Sequence, residues 1–281
     1  MACPDCFKGT LHTGTPAGTE ETIHGVGTYV ASPTATTKST IIFITDAFGF
    51  NLPNSKLLAD YYAAQTGARV LVPDIIPGGG VPLTTLSLTE AVTAPLSWWD
   101  VKGRAWWLVS LVQLLSIVIP FGIRSKNVFP TILEYARAVK KDLPEGGKLG
   151  FAGFCWGGLQ TTKLSAEPAA EGGSERLVDV HFAAHPVNLK PEDFVAGVKN
   201  FGVPFSMAVG EKDAYLKPDA VAGVEAALRT EVGEEGGWEV KIYPDCGHGF
   251  AVRADEGRVV ENEAAGKAAE QAVALFKKHL T

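Results

Sequence analysis

The chain reads as an α/β protein with a mostly parallel central sheet and helices on both faces, and three observations predict it. Short apolar runs recur along the chain, from STIIFIT (39–45) to WEVKIYP (238–244). Helical spacing falls between them, as in NSKLLADYYAAQTG (54–67), where glycine ends the pattern. The runs are apolar throughout rather than alternating, which marks strands covered on both faces. A sheet of that kind carries its chemistry at the carboxyl ends of its strands.

Taken in order, a polar head rich in glycine and threonine precedes the strand at 39–45 and the helix at 54–67. ARVLVPD (68–74) is the next strand, and VFPTILEYARAVKKDL (128–143) is a later helix. KLGFAGF (148–154), LVDVHFAAHP (177–186), VPFSMAVG (203–210) and WEVKIYP (238–244) are further strands, and ENEAAGKAAEQAVALFKKHL (261–280) is the last helix. The rhythm predicts one α/β domain over residues 1–281.

One segment breaks that rhythm. Ile75 to Asn127 opens with IIPGGGVPL and carries Trp98, Trp99, Trp106 and Trp107, which need a surface to pack against, so it reads as a cap or lid inserted into the domain. Within it, Ala105 to Ile123 has no charged residue and nearly the length of a membrane span. Ser110, Gln113 and Ser116 recur through it, Pro120 interrupts its end, and α/β units flank it. A buried helix over a pocket is the better reading, and no stable membrane insertion is expected.

Composition narrows the partners. Of 281 residues 46% are hydrophobic, enough for a substantial core, and the formal charge of −6 gives no positive field for a phosphate backbone, so nucleic acid is excluded. The cysteines, Cys3, Cys6, Cys155 and Cys246, are too few and too uneven for a disulfide scaffold. MACPDCFKGTLHTG lacks the basic start and apolar stretch of a signal peptide, so a cytoplasmic address is expected. Cys3 and Cys6 form C-x-x-C without a second pair, and His12 and His24 do not complete a zinc site, so no metal is expected. IPGGGVP lacks the Gly-Lys-Ser/Thr ending of a phosphate loop.

The chemistry-bearing stretch is GFAGFCWGGLQ (150–160), where a strand breaks at Cys155 and a helix-capable sequence follows. A nucleophile held at a sharp strand-to-helix turn needs neighbours without Cβ on both sides, and Gly153 and Gly157 supply them. The backbone N–H of Trp156 would then face a developing oxyanion. A tight turn around a buried free cysteine is the alternative. Order along the chain favours the nucleophile: Asp213 follows one later strand in MAVGEKDAYL, and His248 sits in the glycine-flanked loop VKIYPDCGHGF after the next. Nucleophile, acid, histidine is the order of an α/β-hydrolase, with Asp213 orienting the imidazole and His248 generating the thiolate. His185, at the end of a strand, is a candidate for the pocket, while His181 belongs to the sheet. Cys246 reads as packing.

With GFCWGG at the elbow, GEKD at the acid and GHGFAVR at the histidine, the chain resembles the dienelactone hydrolase family of α/β-hydrolases, particularly its fungal members, from about Thr22 onward. The resemblance implies a Cys155, Asp213, His248 triad that hydrolyses lactones or esters without metal or organic cofactor. It also maps TDAFGFN onto an early loop of the family. Asp46 then matches an acidic residue that contacts the resting cysteine, and Ala47 matches the second oxyanion N–H. Asp46 is one methylene shorter than the usual Glu, so structuring the loop stands beside gating as its role. Phe48 and Phe250, next to these motifs, are further gating or substrate-binding candidates. Arg253 matches a basic position in many relatives, with a solvated surface arginine as the alternative. An arginine that clamps a substrate carboxylate in the archetypal bacterial enzyme has no counterpart in DIIPGGG. Two functions stay open: a cysteine hydrolase of a small ester or lactone, or a binding protein, cyclase or isomerase for a polyketide-like or aromatic ligand on the same fold.

Overall fold

The computed structural model describes residues 12–31, 37–94, 97, 99–255 and 257–280. The Cys3–Cys6 pair and Trp98 lie outside the described residues. Eight strands form one sheet: β1 (Thr19–Ile23), β2 (Val26–Ala31), β3 (Thr40–Ile44), β4 (Arg69–Pro73), β5 (Leu149–Phe154), β6 (Val180–Ala184), β7 (Phe205–Gly210) and β8 (Trp238–Tyr243). Their spatial order is β1-β2-β4-β3-β5-β6-β7-β8. From β4 to β8 every pairing is parallel, while β1 and β2 add an antiparallel edge.

The apolar runs become the central strands because both faces of each are covered. Every residue of β3, β5, β6 and β7 is buried. Two helices, α1 (Pro53–Thr66) and α9 (Val259–Leu280), pack together on one face; α4 (Phe129–Lys141), α5 (Trp156–Ser165), α6 (Pro191–Phe201) and α7 (Pro218–Val232) run along the other, each against the next. On β5 the two faces separate cleanly: a Cβ at Gly150 would touch Phe276 and Leu280 of α9, and one at Gly153 would strike Thr161 of α5.

The polar head holds a hairpin that the pattern did not reveal. β1 is TEETI, exposed almost throughout because it is the sheet edge, so it lacks an apolar signature. The signal that could have found it is the two-residue connection His24-Gly25, whose φ values of 48° and 77° fit the turn that matches strand twist.

The 75–127 segment contains α2 (Thr84–Thr93) and α3 (Val101–Arg124), which pack on each other. Its start lies against the loop after β3: Val81 N–H donates to Ala47 O at 2.8 Å, and a Cβ at Gly80 would overlap the Phe48 carbonyl. Its end returns to the same place, with the Arg124 side chain against Gly78. The expectation that the apolar helix is buried does not hold. Ser110 and Phe121 are buried in α3 and Trp107 is half-buried, donating Nε1–H to Val92 O, but Trp106 is 61% and Trp99 86% exposed. The physical reason is that α3 rests on the short α2 along one stripe and, among the described residues, no layer covers its outer side.

Candidate active site

The parallel pairing of β3 with β5, and of β5 through β8, brings the carboxyl ends of five strands to one rim. Asp46 and Ala47 follow β3, Cys155 follows β5, His185 follows β6, Asp213 follows β7 and His248 follows β8. The sequence-predicted residues therefore share one end of the sheet, where a doubly covered sheet presents its ligands.

Cys155 closes β5 and opens α5 with φ 53° and ψ −112°, a backbone conformation that L-residues rarely adopt. Its N–H donates to Ala184 O at 3.0 Å and its carbonyl accepts from Leu159 N–H at 3.3 Å, so neighbours hold the strained turn. The flanking glycines are sterically required. A Cβ at Gly157 would lie 2.1 Å from Ile44 O, and one at Gly153 2.3 Å from Thr161 Oγ1. Cys155 itself is buried.

His248 Nδ1 and Asp213 Oδ2 are 2.9 Å apart, and neither side chain is exposed. The other Asp213 oxygen accepts from Tyr215 N–H at 2.8 Å and Leu216 N–H at 3.2 Å. Burial pushes the Asp213 carboxyl up, but the hydrogen bond and charge of His248, with Tyr215 N–H, outweigh it and hold the group below its ordinary range. The two loops are clamped together beyond the strands, since Lys212 N–H donates to Cys246 O at 2.9 Å and Glu211 N–H to Tyr243 O at 2.9 Å. Tyr215, which the sequence did not single out, sets its ring 5.0 Å from that of His248. Its position two residues past the acid is the only signal it gives.

His185 stands between the elbow and the histidine. Its ring centroid is 4.8 Å from His248 edge-on, 6.1 Å from Phe154 and 6.0 Å from Phe250. Burial, reinforced by His248, lowers its pKa to about 3, so it is neutral at physiological pH. Neither ring nitrogen has a hydrogen-bond partner among the described residues. His181 behaves as the sheet residue it was expected to be: it stacks on Phe205 at 4.9 Å with Thr162 Oγ1 3.3 Å from its Nε2.

Asp46 and Arg253 form a fully buried ion pair. Asp46 Oδ1 also accepts from Phe48 N–H at 3.0 Å, so the short carboxylate both turns the loop and meets the guanidinium. The guanidinium carbon lies 4.9 Å from the centre of the Phe48 ring. Gly249, at φ 91°, leaves room for it, because a Cβ there would sit 2.4 Å from Arg253 Nη2. The surface-arginine alternative is thereby excluded: Arg253 is 1% exposed. Cys246 is buried as packing, and burial raises its thiol to about 11, far from the thiolate range. Among the described residues no group of His, Cys, Asp and Glu is arranged to hold a metal ion.

The mixed, mostly parallel sheet with its strained cysteine turn and its acid–histidine pair on later strand ends defines an α/β-hydrolase fold. The profile of the dienelactone hydrolase family matches residues 26–280, and the chain belongs to that family. Among curated proteins it is 26% identical over 277 residues to hydrolase pyvD of Aspergillus violaceofuscus, covering 98% of this chain and 96% of the relative. It is 30% identical over 253 residues to dienlactone hydrolase 2 of Gibberella moniliformis, covering 89% and 82%. Among solved structures, an esterase of Pyrococcus furiosus aligns with a TM-score of 0.58 at 13% identity, covering 97% of each chain, which is a likeness of fold.

Proposed function

We propose that the protein is a cysteine-dependent hydrolase of a small ester or lactone, working through an acyl-thioester. The observation that carries the proposal is the Asp213–His248 pair, buried at the same rim as the strained Cys155 turn. A protein that only bound its ligand would gain nothing from an acid fixed on a histidine at the same strand-end rim as a glycine-flanked thiol. That weighs against the binding or cyclase reading.

In this mechanism His248 takes the Cys155 proton, and Sγ attacks the carbonyl carbon of the bound substrate. The N–H groups of Ala47 and Trp156 stabilise the oxyanion, and Asp213 holds the imidazolium in orientation. As the tetrahedral species collapses, the C–O bond breaks and His248 gives its proton to the departing alkoxide. Water, deprotonated by His248, then attacks the thioester, releasing a carboxylic acid and restoring the thiol. No step calls on a metal or organic cofactor. In this reading the 75–127 segment, whose start is bonded to the loop that carries Ala47, caps the substrate, and the aromatic residues Phe48, His185 and Phe250 packed around the site favour an uncharged one. In this reading Asp46 and Arg253 fix the loop that carries Ala47.

A panel of aryl esters and enol lactones tests the reading. Cys155→Ala should abolish turnover with an unchanged circular-dichroism spectrum, and Asp213→Asn should lower kcat by orders of magnitude. Equal slow turnover by wild type and Cys155→Ala would return the binding reading.

A further inference from the structure

From the outer face of α3 we infer an interaction surface: the helix lies on anionic membranes as a peripheral anchor. α3 is 24 residues long, about 36 Å at 1.5 Å per residue, and from Ala105 to Ile123 it carries no charge. By length and composition it is long enough to cross a bilayer, yet only 11% of its most apolar stretch is buried in the protein. Buried helices that pass the same test are covered by their own fold; this one presents Leu108, Val112, Leu115, Ile119 and Ile123 to solvent. An exposed apolar face of that length marks a binding surface.

Charge selects the occupant. In an acidic chain the face is framed by exposed basic residues at both ends, Lys102 and Arg104 before it and Arg124 and Lys126 after it. Asp100, just before them in the sequence, caps the helix, its Oδ1 accepting from Gly103 N–H at 2.8 Å. A second copy of the chain is a poor occupant, because two-fold pairing through α3 sets basic end against basic end whichever way the helices run. Anionic lipid headgroups satisfy both ends, and the acyl region takes the apolar face between them. The exposed Trp106 and Trp99 near the amino end suit the headgroup boundary. α3 lies along the surface rather than crossing, because its inner stripe, with Trp107, Ser110 and Phe121, stays packed on the protein.

Flotation with lipid vesicles tests this. The full-length protein should rise through a density gradient with vesicles of phosphatidylcholine plus phosphatidylserine, less so with phosphatidylcholine alone and less at raised salt. Val112→Glu/Ile119→Glu, folded by its circular-dichroism spectrum, should bind at least about tenfold more weakly, since two buried aliphatic side chains are lost from the lipid. If that double variant misfolds, the single Leu108→Gln, also on the outer face, serves with a smaller loss. Wild-type protein that stays at the bottom of the gradient overturns the inference, as does flotation that the variants leave unchanged. A wild-type dimer by light scattering that fails to float, made monomeric by the double variant, also overturns it and assigns the face to a second copy.

Discussion

Asp46 and Arg253 form an ion pair in which neither side chain reaches solvent, joining the loop after β3 to the short helix α8 (Phe250–Arg253) that follows His248. Removing one member of a buried pair strands the other's charge, at a cost of about 3–5 kcal/mol, whereas replacing both restores much of the loss. Arg253→Met should therefore destabilise by about 3–5 kcal/mol in urea unfolding. Asp46→Asn/Arg253→Met should recover a large part of it, because the Asn oxygen still accepts from Phe48 N–H. A single-variant cost below about 1 kcal/mol would place the pair with solvated surface pairs.

The elbow glycines make a sharper steric prediction. Gly157→Ala forces a Cβ to 2.1 Å from Ile44 O, a backbone atom that cannot move aside, so it should cost about 3 kcal/mol or more and abolish activity. Gly266 in α9 has nothing within 4 Å of its Cβ direction, and Gly266→Ala should stabilise by about 0.5–1 kcal/mol with activity unchanged. Thermal unfolding of both variants checks the pair of signs.

Two neutral histidines make the fold acid-sensitive. Burial lowers His181 and His185 from 6.5 to about 3, so between those values the unfolded chain binds protons that the folded chain does not. Stability is complete above about pH 7 and is lost as pH falls through the unfolded value toward the folded one. From about pH 7.5 to about pH 5.5 each should cost about 1.4 kcal/mol. Asp213, held below its ordinary value, adds loss of the same sign at lower pH. His181→Phe should halve the loss, and a stability independent of pH over this window would contradict neutral burial.

Much of the site was legible because its demands are local. The G-x-C-x-G turn is dictated by contacts within a few ångströms, and Asp213 and His248 announce themselves by following apolar strands. The Asp46–Arg253 pair was only half legible: each residue matched a family position, but that one neutralises the other depends on packing that joins distant parts of the chain. The solvent exposure of α3 was hidden for the opposite reason. Hydropathy reports that a helix avoids water, not whether the fold supplies a cover. β1 escaped notice because an edge strand needs no apolar pattern.

In the proposed reaction Cys155 carries the acyl group. Intact-mass and peptide measurements on protein quenched during turnover of a slow aryl ester or enol lactone test it most directly. One added acyl mass should accumulate on the peptide containing Cys155 in the wild type and be absent from Cys155→Ala. Turnover with no adduct at Cys155, or with the acyl mass on Cys246 or another residue, would contradict it.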